Sequence, residues 1–225
     1  MSKINQTIRT IQNLKSTRRI NFTDRKIDED KIDLIKKSIL KTSNASNRQS
    51  YSIIILDEQK ARELAFPGNK VFIYCIDFYR LKKCAENLGC EFDSQYFMQY
   101  STALIDISLL VQSTVIASQS MGIDTLITNE IYHNKLEKTF ELLKLPNEYV
   151  FPMIALCMGY SEEETVHKGR VDEDLVFFNN EYIKIEEKEI NGIIEDTDYE
   201  NTHIALMNTW KEMGFDHYMQ CFFDK

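Results

Sequence analysis

The sequence predicts an α+β fold, and three observations carry that prediction. Residues 51–56, 71–76 and 150–158 are short, β-branched and apolar, as buried strands are. Longer segments place apolar residues at helical spacing, the longest at 94–121. The two kinds mingle without the regular alternation of a doubly wound sheet.

Taken in order, residues 3–15 put Ile4, Ile8, Ile11 and Leu14 on one face of a helix. A second helix starts at Asp28, a candidate N-cap, and runs to Lys41. Its stripe is Ile32, Ile35 and Ile39, with Ile27 placed as a hydrophobic staple. A polar loop at 42–50 leads into the first strand. A helix at 58–65 and a Pro-Gly-Asn turn at 67–69 lead into the second strand. The helix at 78–90 stops at Gly89.

The run 94–121 carries Tyr100, Leu104, Ile107, Val111, Thr114 and Ser118 on one side and stops at Gly122. Its other side holds Ser101, Ala103, Ser108, Ser113, Ala117 and Ser120. With few charges it reads as a central helix. The small-residue side suits a helix contact within the chain or between two copies equally well. A helix at 134–143 ends ahead of Pro146, and Pro152 requires a bulge or a place near the start of the third strand. Residues 186–200 hold seven acids against Lys188 alone and read as an acidic loop. Residues 202–213, with the only Trp, Trp210, read as a terminal helix.

Composition narrows the function. At 225 residues, 43% hydrophobic and 28% charged, the chain is ordinary for a globular protein. One domain over 1–225 is expected, with 185–225 as an acidic C-terminal extension. No apolar run approaches the ~20 residues of a membrane span, and the N-terminus has no apolar signal segment. Five Cys without a C-x-x-C pair fit reduced thiols in a cytoplasmic protein. The four His show no H-x-x-x-H spacing, so no metal site is expected. A net charge of −8 argues against nonspecific nucleic-acid binding.

Against that charge, residues 1–23 hold Lys3, Arg9, Lys15, Arg18 and Arg19 and no acid. Arg18 and Arg19 offer forked donors suited to a phosphate; alone, the stretch is equally a solvated basic turn. The loop 42–50 offers Asn44, Asn47 and Gln49, amides that match a heteroaromatic edge or serve as plain turn formers. Lys168-Gly169-Arg170 sets two cations about an approachable backbone, a pattern frequent by chance. Tyr96, Phe97 and Tyr100 could line a pocket, but aromatics at helical spacing more often belong to a core.

Order and context turn these pieces into one pattern. Thr17-Arg18-Arg19-Ile20-Asn21-Phe22, Ala45-Ser46-Asn47-Arg48-Gln49-Ser50-Tyr51, Met158-Gly159-Tyr160 and Lys168-Gly169-Arg170 follow one another as in the FMN-dependent nitroreductase family. The run Ala117–Thr125 likewise resembles that family's helix end, and the resemblance covers roughly residues 5–183. It implies a nitroreductase-like fold: a central, mostly antiparallel sheet flanked by helices, in an intertwined homodimer with FMN at the subunit interface.

By the same resemblance Arg18, Arg19, Lys168 and Arg170 hold the FMN phosphate. Asn44, Ala45, Asn47 and Gln49 lie along the ring and ribityl chain, and Thr128 and Asn129 approach the N5 side. The implied activity is NAD(P)H-driven reduction of a small organic acceptor such as a nitroaromatic or quinone. FMN carries the chemistry, so no catalytic side chain is required. Two alternatives share the fold: a flavin sensor or store without turnover, and flavin-destroying or dehalogenating chemistry.

The sequence also departs from the pattern. No Ser or Thr follows the Arg pair, unless Arg19 takes that place in a slipped register. Ser50 and Tyr51 replace Pro-Trp, and Asn21 stands where many members carry a cation near flavin N1. A neutral amide there stabilises reduced flavin less than a cation and implies a lower potential.

Overall fold

In the computed structural model, four strands pair into one antiparallel sheet. They are β1 (Tyr51–Leu56), β2 (Lys70–Asp77), β3 (Asp124–Thr128) and β4 (Val150–Gly159), in the order β1-β2-β4-β3. Seven helices accompany them among the described residues: α1 (Gln6–Gln12), α2 (Glu29–Ile39), α3 (Glu58–Glu63), α4 (Tyr79–Leu88), α5 (Phe97–Ser120), α6 (Leu136–Leu143) and α7 (Glu187–Thr197). The structure describes residues 4–93, 96–132, 135–162, 170–197, 204 and 207–208. The chain divides into two compact units, 1–165 (with Lys225) and 166–224.

In the first unit, β2 is buried from Val71 to Asp77. Its residues Val71, Ile73 and Cys75 join Leu56, Ala61, Leu64, Phe66, Ile131, Ala155 and Cys157 in one core. Tyr74 is also fully buried, and its hydroxyl donates to Thr114 Oγ1 on α5 at 2.6 Å. Burial raises the Tyr74 phenol well above its ordinary pKa, although the Thr114 hydrogen bond works the other way. Thr114 in turn donates to the Leu110 carbonyl at 2.8 Å. A strand apolar on alternate sides must be covered on both faces, which explains why α5 carries so few charges.

The helix boundaries have local causes. Ile32, Ile35 and Ile39 of α2 are buried as their spacing requires, and Ile27 is buried beside them. Asp57 caps α3 by accepting the Lys60 N–H at 2.8 Å. Gly89 ends α4 with φ +67. The register of β2 on β4 shifts between Tyr74, paired with Ile154, and Cys75, paired with Pro152. Met153 is therefore the extra residue of a bulge, which lets Pro152 lie inside the sheet without an N–H to donate. Gly68 has φ +86, and a Cβ there would stand 2.6 Å from the Met158 carbonyl oxygen, so the 67–69 turn needs glycine.

Three expectations need correction. β3 is a strand where the sequence suggested only a helix end and a loop. It has five residues, with Leu126 half-buried and Ile127 45% exposed, too short for a period to declare itself. Residues 187–197, in the second unit, form α7 rather than a loop. Ile190, Ile193 and Ile194 recur at helical spacing, and Glu187 and Glu189 favour the first turn of a helix dipole. The Glu186 N–H donates to Glu189 Oε2 at 2.8 Å, one half of a capping box. Helix α5 does meet the length and composition of a membrane span, yet in this fold it is a core helix packed on α2, β2 and β3. Ile4, Ile8 and Ile11 are 50%, 44% and 44% exposed, so the stripe near α1 is not part of this chain's own core. The terminal helix expected at 202–213 lies almost wholly outside the described residues.

The Tyr74–Thr114 pair yields an asymmetric prediction. Thr114→Val leaves a buried phenol without a partner and should destabilise by about 1–3 kcal/mol. Tyr74→Phe should cost less, because Thr114 still donates to Leu110. The double variant should be more stable than Thr114→Val alone in urea unfolding; a double variant less stable than Thr114→Val would refute the pairing.

Candidate functional site

The basic stretch is laid along the end of α5 and the start of β3. The Lys15 N–H donates to Gln119 Oε1 at 3.1 Å, and Gln119 Nε2 donates to the Lys15 carbonyl at 2.6 Å and to Thr125 Oγ1 at 2.8 Å. The Thr17 N–H donates to the Thr125 carbonyl at 2.9 Å. Arg18 then caps a single 3-10 turn, Arg19–Asn21, in which the Asn21 N–H donates to the Arg18 carbonyl at 3.1 Å. The Arg18 side chain is exposed and makes no hydrogen bond or ion pair among the described residues.

Arg19 is differently placed. Its Nη1 donates to both Glu130 oxygens, at 3.0 and 2.8 Å, and its Nη2 donates to the Ala65 carbonyl. Lys135 Nζ reaches Glu130 Oε2 at 2.9 Å from the other side. Partial burial pushes the Glu130 carboxyl up, but the Lys135 hydrogen bond and charge, with those of Arg19, hold it below its usual value. Cys157 is pushed up to about 12 by burial, with Glu130 adding to it, and Cys75 to about 12 by burial and Asp77. Neither thiol is a nucleophile at neutral pH.

The second stretch is a loop of unusual backbone. Ser46, Asn47 and Gln49 have φ of 52°, 55° and 52°, a region that side chains larger than Gly rarely adopt. Gln49 Nε2 donates to Asn47 Oδ1 at 3.1 Å, and the Ala45 N–H donates to Asp106 Oδ1 on α5 at 2.9 Å. Asn47 and Gln49 are exposed, and Asn44 and Ala45 are half-buried. Tyr51, just beyond, has its phenol raised by burial and then by the Asp106 charge.

The two stretches are tethered to α5 at Gln119 and Asp106, thirteen residues or about 20 Å apart along the helix. No hydrogen bond or ion pair joins Arg18 or Arg19 to residues 44–49 among the described residues. Thr128 Oγ1 accepts the Glu130 N–H at 3.1 Å, and Asn129 is exposed at the end of β3. Lys168 lies outside the described residues; Arg170 is an exposed residue of the second unit, beside Asp172 and Glu173. Tyr96 and Phe97 are 60% and 63% exposed rather than core, because they precede the stretch of α5 that meets the sheet.

An FMN reductase (NADPH) of Bacillus subtilis is 31% identical to this chain over 229 residues, spanning 96% of this chain and 85% of the relative. The chain belongs to the nitroreductase-like family. An oxygen-insensitive NADPH nitroreductase of Salmonella typhimurium is 29% identical over 180 residues, 75% of this chain and 72% of that one. The solved structure of NfrA1 from B. megaterium superposes with a TM-score of 0.79 at 29% identity, over 88% of this chain and 85% of that chain. No family model matches the chain. Residues that sequence reasoning missed are Glu130, Lys135, Asp106 and Arg80. Asp106 did leave a signal, as the single charge in a 24-residue helix.

The Glu130 carboxyl is depressed, so its contribution is present above its unfolded value near 4.5 and lost as pH falls through the lower folded value. Glu130→Gln should therefore cost about 1 kcal/mol or less at neutral pH, allowing for solvent screening of a group that is partly exposed. The loss should shrink below pH 4. Urea midpoints measured from pH 3 to 7 check it, and a deficit that grows toward acid would refute the assignment.

Proposed function

We propose that this nitroreductase-like chain is an FMN-dependent oxidoreductase that takes electrons from NAD(P)H and delivers them to a small organic acceptor. The observation that carries the reading is kinship with the FMN reductase along 96% of the chain. The donor set fits the cofactor. Arg18 presents a guanidinium without a partner among the described residues, apt for a phosphate. The loop 44–49 displays neutral amides on a backbone fixed in a rare conformation, apt for a ring edge with alternating donors and acceptors. When bound, FMN supplies the two-electron chemistry, accepting hydride from a nicotinamide and reducing the acceptor.

The chain's own residues bind and orient. Arg18 holds the phosphate, while Arg19 locks the turn beneath it through Glu130 and Ala65. Asn44, Asn47 and Gln49 set the ring, and Asn21 offers a neutral amide to its N1 side. Thr128 and Asn129 complete the site at the end of β3. Uncrosslinked thiols at Cys75, Cys84, Cys90 and Cys157 support a reducing, cytoplasmic setting.

A homodimer with FMN at the subunit interface completes this reading. Ile8 and Ile11 on α1, and Ile105 and Leu109 on α5, leave apolar surface that a second copy covers. The tethers of the two stretches, about 20 Å apart on α5, also favour a cleft closed by another chain.

Arg18→Ala should weaken FMN binding by about 1.5–3 kcal/mol and leave riboflavin, which lacks the phosphate, unaffected. Equal losses for both ligands would show that Arg18 does not meet phosphate. A purified protein without flavin absorbance, unable to take up added FMN, would reject the function itself. Leu109→Asp should convert a micromolar dimer into monomer and release flavin with it. Light scattering that shows a wild-type monomer retaining stoichiometric FMN would sink the shared cleft.

A further inference from the structure

The loop 44–49 holds an uncommon backbone conformation, with hydrogen bonds of its own and two more from outside it. Three successive-turn residues, Ser46, Asn47 and Gln49, sit at positive φ, and none is glycine. Strained backbone of this kind persists only where surrounding structure over-determines it. Besides the loop's own hydrogen bonds, two side chains from other elements add to that constraint, one at each end of the loop.

At the leading end, the Ala45 N–H donates to Asp106 Oδ1 at 2.9 Å. Asp106 is 2% exposed and is the single charge in α5. Its Oδ2 is buried with no partner among the described residues, so the one hydrogen bond it accepts, from the Ala45 N–H, does not offset the full cost of burying a carboxylate. A leucine at this position would suit a helix packed on most sides. At the trailing end, the Arg80 guanidinium donates to the Gln49 carbonyl at 2.5 Å and the Tyr51 carbonyl at 3.2 Å. Arg80 is fixed in turn: Asp77 Oδ1 accepts the backbone N–H of Tyr79 at 3.0 Å and of Arg80 at 3.4 Å, and Asp77 Oδ2 accepts the Ser52 hydroxyl.

We propose that Asp106 and Arg80 are positioning residues that clamp the 44–49 loop in its cofactor-ready conformation. The proposal rests on the reading of that loop as part of the flavin site. An unclamped loop relaxes to ordinary φ values and must be reordered by each incoming ligand, which lowers affinity without removing any direct contact. The retained burial cost of Asp106 is then the mark of a residue kept for shape of the site rather than for stability.

The test uses the full-length apoprotein and two independent measurements. Hydrogen exchange at the Ala45 amide should quicken at least tenfold in Asp106→Leu and stay within threefold of wild type in Asp106→Asn, which keeps the Oδ1 acceptor. FMN titrated into each variant should show Kd raised at least tenfold for Asp106→Leu and Arg80→Ala, with Asp106→Asn again near wild type. The thermal midpoint of apo Asp106→Leu should not fall, because a buried carboxylate has been exchanged for an apolar group. A merely structural tie predicts the reverse, a lower midpoint with unchanged Kd, and that result overturns the proposal. Unchanged exchange at Ala45 overturns it too, whatever the flavin does. Quickened exchange in a protein that binds no FMN keeps the clamp and rejects the cofactor reading instead. If Asp106→Leu does not fold, Arg80→Ala decides: wild-type FMN affinity there refutes the clamp.

Discussion

Both faces of β2 must stay dry, and much of the first unit is arranged to that end. A seven-residue buried segment with side chains on two sides needs a layer above and a layer below. Ala61, Leu64 and Phe66 form part of one cover, and α5 forms much of the other. Because α5 lies against the sheet and α2, its composition is dominated by apolar and small polar residues, and its buried hydroxyls find partners within the fold. Thr114 bonds to Leu110, and Ser118 bonds to the Met158 sulfur at 3.3 Å. The same helix then serves as the rail on which the two candidate stretches hang, through Gln119 near one end and Asp106 at mid-length.

This arrangement explains which parts of the fold could be read from sequence. Ile32, Ile35 and Ile39 announced α2 because one face of that helix is buried and the other wet. β2 and β4 announced themselves because burial on both sides makes a continuous apolar run, and β1, only partly buried between Tyr51 and Leu56, did so through its run of isoleucines. β3 has Asp124 at its start, a single buried residue at Thr125 and an exposed Ile127, so neither pattern applies. In α7, charge density concealed a helix whose few isoleucines were its main periodic signal. α1 gave the right periodicity without its cover, since an apolar stripe says that something covers it and not what does.

The candidate site was legible in a different way. Its candidate residues were nominated by the order of short stretches along the chain, which carries no geometry. Arg18 and Arg19 are neighbours of identical chemistry, and no local rule separates a free guanidinium from one paired to Glu130, 111 residues away. Arg80 sits in the first turn of an unremarkable amphipathic helix, and its two carbonyl partners cannot be inferred from spacing. Long-range hydrogen bonds to backbone oxygen leave no trace in composition, so the supporting residues of a site are harder to read than those facing the ligand.

The thiols have a practical consequence. Cys75 and Cys157 are sealed in the core and stay protonated, which shields them from electrophiles and from oxidation to sulfenic acid. Cys84 and Cys90, on α4 and just past Gly89, are exposed. Among the described residues, a maleimide dye added to the folded protein will therefore mark this one corner, a short distance along the chain from Arg80. Among the described thiols the fold sets a protected pair against a reporting pair, and the second gives a spectroscopic handle on α4 without disturbing the interior.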